Sequence, residues 1–116
     1  MRLKSHIFVA SLLRRVFASG GYAAVLRKGA DEAGAIFVRQ RARLGTETLY
    51  APAPQSFFED EGDTARKFEI RLQDAEAEKI DSALLSEVRF DPDCWIVEIE
   101  IDDCGDLLDI ATESDR

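Results

Sequence analysis

Histidine is almost absent from this chain: His6 stands alone, far in sequence from the only two cysteines, Cys94 and Cys104. Two thiols without Cys-x-x-Cys spacing and one imidazole provide neither a zinc set nor a disulfide framework, so reduced thiols in a cytosol are expected. Long apolar runs are missing too. The longest near the N-terminus, Ile7 to Leu13 counting Ser11, is seven residues and is closed by Arg14-Arg15. That is wrong for a secretory signal, and no window approaches a membrane span. There is no Gly-x-Ser-x-Gly elbow, no phosphate loop and no dinucleotide fingerprint, which removes the commonest hydrolase and nucleotide-enzyme signatures. No internal repeat is visible.

What the chain does have is charge, unevenly placed. Residues 1–56 carry nine Lys/Arg against three Asp/Glu and residues 57–116 carry six against twenty, giving the net −8. Oppositely charged halves attract each other, while the surplus acid repels nucleic acid and most membranes. With 116 residues, 46% hydrophobic and 33% charged, the chain can bury one core without staples. A single α+β domain over residues 1–110 is expected, with residues 111–116 a frayed polar tail.

Apolar periodicity predicts a first helix over 5–19, with Ser5 as N-cap and Gly20-Gly21 as its stop. Short strands follow at Tyr22–Leu26, Ala35–Ala42 and Thr46–Ala51, the last two joined as a hairpin through Leu44-Gly45. Pro52-Ala53-Pro54 should end that ladder, because proline lacks a donor. Lys67–Gln73 alternates as a half-buried strand, and Asp74 is placed to cap a second helix carrying Ala77, Ile80, Ala83, Leu84 and Val88 on one stripe. Trp95, Val97, Ile99 and Ile101 then alternate with Ile96, Glu98, Glu100 and Asp102, and Leu107–Ile110 is a short final strand or a packed end. Short connections favour a mostly antiparallel sheet of about five strands with two helices packed on one face.

Three strings resemble the small bacterial family known as domain of unknown function 1491: Ala33–Val38, Leu49–Gln55 and Arg89–Glu98, together with the opening Met1–Ser5. The likeness spans nearly the whole chain, and Ala51 stands where Gly is more frequent in that family. It implies a stand-alone cytoplasmic bacterial domain and carries over no functional residue.

Two ladders of charge share strand parity: Arg39, Arg41 and Arg43 on one segment, Glu98, Glu100 and Asp102 on another. On adjacent strands they would pair, each pair contributing about 0.2–1 kcal/mol. Without interleaved aromatics, the basic ladder is a poor nucleic-acid surface. Of the acids crowded between Asp91 and Asp109, the run Asp102 to Asp109 lacks the spacing of a calcium loop and Glu98, Glu100 and Asp102 suit the wet face of a strand, so no metal and no cofactor is expected. The loop holding Pro52, Pro54, Gln55, Phe57 and Phe58 joins stiff backbone to two aromatics, which suits a partner-binding element. The leading expectation is therefore a non-enzymatic cytoplasmic interaction or regulatory domain with an unknown protein partner, no catalytic residues, no nucleic acid and no membrane, and homo-oligomerisation left open. The alternative is a small metal-assisted hydrolase using Asp91, Asp93 and Asp103.

Overall fold

The computed structural model describes residues 3–54 and 66–111. Helix α1 (Ser5–Ala18) is followed by β1 (Tyr22–Arg27), β2 (Ile36–Arg41), β3 (Glu47–Pro52), β4 (Lys67–Ala75), α2 (Ala77–Phe90) and β5 (Trp95–Glu100). A 3-10 turn (Gly105–Leu107) and the two-residue β6 (Asp109–Ile110) complete the order. The strands form one six-stranded sheet in the order β1-β5-β2-β3-β4-β6. Residues 112–116, most of the expected tail, lie outside the described residues.

This sheet is mixed rather than mostly antiparallel. The β2–β3 hairpin, β3–β4 and β1–β5 are antiparallel, whereas β2–β5 and β4–β6 are parallel. The difference arises because β5, last of the long strands in sequence, inserts between β1 and β2. Its opening run Trp95-Ile96-Val97 is buried throughout, and a strand apolar on both faces is stable only in the interior of a covered sheet.

For the same reason the helices do not share a face. Val9, Leu12 and Val16 of α1 pack with Ile36, Val38, Tyr50, Phe68, Trp95, Val97 and Ile99. Ile80 and Leu84 of α2 pack with Phe37, Leu49, Ala51, Cys94 and Ile96. Neighbouring strand residues point to opposite faces, so Phe37 and Ile96, which alternate with the first set, need a second cover. The expected inward set from Trp95 to Ile99 faces α1; Ile96, expected on the wet side, is under α2.

Local chemistry explains several boundaries. Ser5 is not the N-cap but the first helical residue, fully buried, and its hydroxyl donates to the Gly34 carbonyl at 2.6 Å. The first amides of α1 are satisfied by the β1–β2 loop instead, Ser5 N donating to Glu32 O and His6 N to Asp31 O. That loop crosses the start of β5 so closely that a Cβ on Gly29 would lie 2.2 Å from the Asp93 carbonyl oxygen, and one on Gly34 would lie 2.6 Å from it. Asp74 does not cap α2; it lies within β4 with φ +51, and Glu76 precedes the helix without a side-chain cap bond. Pro52 continues the ladder that it was expected to end. It opposes Phe68, and Ala53 N donates to Lys67 O. By alternation, the donor that Pro52 lacks would point away from β4, towards β2, whose pairing with β3 stops at Tyr50.

Candidate functional site

Both charge ladders meet, and more deeply than strand parity implied. The β2–β5 register sets Arg39 opposite Glu98 and Arg41 opposite Glu100. Arg41 lies 3.4 Å from Glu98 and 3.8 Å from Glu100, and Arg43 lies 3.5 Å from Asp102. Arg39, however, turns to acids that the ladder reading omitted. Its Nε donates to Glu47 Oε1 at 2.8 Å, another guanidinium nitrogen lies 2.6 Å from the same oxygen, and Nη1 donates to Asp81 on α2 at 2.7 Å. Only 8% of the Arg39 side chain and 2% of that of Glu47 reach solvent. Burial works to lower the Arg39 pKa, but its hydrogen bonds to Asp81 and Glu47, together with their charges, outweigh it and hold the guanidinium above its ordinary range. The network fastens α2 to the sheet through Arg39 and Asp81.

A polar cleft of about 340 Å³ opens between the β2–β3 hairpin, the end of β4 and residues 102–105, with Gln40, Thr48, Tyr50, Asp74, Asp103 and Cys104 on its walls. Tyr50 donates its phenolic proton to Gln40 Oε1 at 3.0 Å and accepts from the Cys104 thiol at 3.7 Å. Burial pushes the Tyr50 phenol well above its ordinary value, and its contact with Cys104 adds to the rise. The Cys104 thiol is likewise raised, chiefly by burial, which outweighs the lowering effect of its hydrogen bond to Tyr50; the nearby Asp103 charge adds a smaller rise. Cys94 is raised by burial and by Asp91. A thiol held neutral is a poor nucleophile, and the one imidazole is engaged elsewhere, His6 Nδ1 donating to Asp31 O at 2.8 Å.

The carboxylates of the hydrolase alternative are kept apart by β5. Asp91 and Asp93 precede that strand and Asp103 follows it, a separation on the order of 20 Å at ~3.3 Å per residue. Asp91 accepts from the Asp93 amide and Asp103 from the Gly105 amide, so each shapes its own turn. Among the described residues, no three His, Cys, Asp or Glu side chains are grouped to hold a metal ion.

Of the expected partner-binding residues, Pro52 is half-buried at the end of β3 and Pro54 is exposed, while Gln55, Phe57 and Phe58 lie outside the described residues. A different surface is fully in view. Strand β1 ends the sheet with its outer side unpaired among the described residues. Tyr22, Val25 and Leu26 are 51%, 39% and 50% exposed, and Phe17 of α1, equally open, meets Tyr22 edge-on at 5.9 Å. Edge strands are usually blunted by charge, proline, brevity or a bulge, and β1 carries only the last, a register shift between Val25 and Arg27 near its end. The opposite edge is β6, only two residues long; β1 runs Tyr-Ala-Ala-Val-Leu before its first charge, Arg27.

Among the described residues the fold is thus a two-sided, mixed-sheet α+β domain with an open apolar edge at β1. Residues 3–109 match the model of the family described as protein of unknown function (DUF1491). The chain belongs to that family. It is similar to the solution structure of protein Atu0922 from A. tumefaciens, with 57% identity over 97% of this chain and 98% of that one, TM-score 0.86. It is also similar to the crystal structure of a DUF1491 family protein from Caulobacter crescentus CB15, with 31% identity over 97% of this chain and 100% of that one, TM-score 0.78. No curated protein matches. No helix among the described residues is long and apolar enough to cross a membrane.

Proposed function

We propose that this chain is a non-enzymatic protein-interaction domain of the bacterial cytoplasm, and that it receives an extended segment of a protein partner along β1. The observation that carries this reading is the open edge of β1, with Tyr22, Val25 and Leu26 exposed to solvent beside Phe17. Strand addition satisfies the outward backbone groups of such an edge, while exposed side chains on alternate positions supply selectivity. Two buried free thiols, Cys94 and Cys104, fit a reducing compartment, and the net charge of −8 disfavours nucleic acid as the partner.

The segment from Pro52 through Pro54, Gln55, Phe57 and Phe58 is the competing contact surface, favoured by the exposure of Pro54 directly after the buried Ala53. Affinity capture from an extract of the source organism separates the two surfaces, with circular dichroism confirming each fold. Val25→Lys, which places a charge in the open edge, should lose the captured partner, and Phe57→Ser with Phe58→Ser should retain it. The reverse pattern would transfer the site to the loop. Unchanged capture by both variants would end the reading.

A further inference from the structure

We infer that the strand received by β1 is β1 of a second copy of this chain, paired antiparallel about a two-fold axis at Ala24. This rests on the reading of β1 as a docking edge and names the occupant. In an antiparallel pair a local two-fold passes between directly opposed residues, so the central residue of a symmetric pair opposes itself. Centring on Ala24 sets Ala23 opposite Val25 of the second copy and Tyr22 opposite its Leu26. Each apolar residue of the edge then opposes an apolar one. The neighbouring registers do less well: centring on Val25 sets Ala23 opposite Arg27, and centring on Ala23 sets Tyr22 opposite Ala24 and Gly20 opposite Leu26. The pairing of β1 with β5 shifts register between Val25 and Arg27, so Tyr22 to Val25 form the regular part of the edge and Leu26 falls within the irregularity.

Charge supports the same register. Beyond Tyr22, the antiparallel copy would carry its Arg27 and Lys28 past Gly21 and Gly20. These two glycines border a cleft of about 460 Å³ lined by Glu100, Asp102 and Asp103 together with Arg41 and Arg43. Glu100 and Asp102 are engaged by Arg41 and Arg43; among the described residues Asp103 has no cationic partner, its carboxylate accepting only the Gly105 amide. Lys28 is 72% exposed and its own contact, Asp31, is a loose 3.9 Å away. Each copy therefore holds a loosely held cation at one end of β1 and an unmatched carboxylate at the other, which the two-fold brings together twice. The net −8 of each copy opposes association at low ionic strength, so the dimer is best measured near ~0.15 M salt, where charges beyond about 8 Å are screened.

Sedimentation of the purified chain over a concentration series, from about 1 μM to a few hundred μM, tests the dimer. Cysteine trapping tests its register. Directly opposed Cβ atoms are roughly 4.5–5.5 Å apart and diagonal ones farther, so Ala24→Cys should cross-link to itself under mild oxidation, whereas Val25→Cys, which opposes Ala23, should not. Val25→Lys should weaken association at least tenfold. Lys28→Glu should weaken it less, with partial rescue by Asp103→Lys in the same chain. A chain that stays monomeric throughout would overturn the inference, as would a dimer that ignores Val25→Lys or traps equally at both positions. If the chain is monomeric yet Val25→Lys still loses a captured partner, the inference falls and the docking edge stands; if Val25→Lys changes neither association nor capture, both fall.

Discussion

Trp95→Ala is expected to destabilise the domain by about 3–5 kcal/mol, the usual range for deleting a buried large aromatic. Trp95 is almost fully buried in the α1-side core, and its indole nitrogen donates to the Ala30 carbonyl at 2.7 Å. The ring also lies where a side chain on Gly29 would stand, 2.7 Å from its Cδ1. Removing it opens a cavity at the start of β5 and unpins the loop whose carbonyls receive the first amides of α1. Trp95→Phe should fall between wild type and Ala, retaining much of the volume but leaving the Ala30 carbonyl unpaired. Urea titrations followed by circular dichroism measure both. A Trp95→Ala midpoint indistinguishable from wild type would mean that the β1–β2 loop is not anchored through this ring.

The second large effect is expected at Glu47. Glu47→Ala removes the carboxylate facing the Arg39 guanidinium in a place nearly closed to water, and breaking such a pair from one side costs about 3–5 kcal/mol. Asp81 remains on Arg39, but it is itself largely exposed and gives only a screened counter-charge. Asp81→Ala should therefore cost far less than Glu47→Ala. Replacing both buried partners, Arg39→Met with Glu47→Leu, should recover most of the loss because no charge is then stranded in the interior. Denaturant midpoints for the three variants decide it, and a Glu47→Ala loss below about 1 kcal/mol would show that water reaches Arg39 freely.

Element order was legible in the sequence because periodicity is a local property. The alternation of Phe68, Ile70 and Leu72, and the stripe Ile80, Ala83, Leu84, mark β4 and α2 within a few residues. The partner of each strand was less so. Short connections join β2 to β3, yet nothing local to Trp95–Glu100 states that it parts β1 from β2. The available signal was Ile96 between Trp95 and Val97, an unbroken apolar run that a one-sided sheet would leave wet. The same signal bears on the helices, since Phe37 beside Ile36 and Val38 requires cover on both faces.

The charged network was half readable. Ladder parity correctly brought Arg41 to Glu98 and Glu100. A hairpin turning at Leu44-Gly45 also places Glu47 opposite Arg41, so Glu47, the lone acid in that strand, was within reach of sequence reasoning. Asp81 was not, because its contact with Arg39 depends on which face α2 covers. The cleft around Tyr50 and Cys104 was hidden for the same reason, its walls coming from segments 54 residues apart. Phe57 and Phe58 stand out in the sequence because no periodicity assigns them a face; Tyr22, Val25 and Leu26 do not, because an edge is defined by the strand that is absent.

Residue-resolved amide hydrogen exchange on β1 tests most directly the claim that this edge is the working surface. In dilute protein, the outward amides of Tyr22–Val25 should exchange nearly as fast as loop amides, while those of β2, β3 and β5 remain protected. Raising the protein concentration, or adding a partner captured through this edge, should slow the β1 amides selectively. Protection appearing instead around Gln73–Asp74 and Asp102–Gly105, with β1 unchanged, would contradict the account and move the binding surface to the Tyr50 cleft.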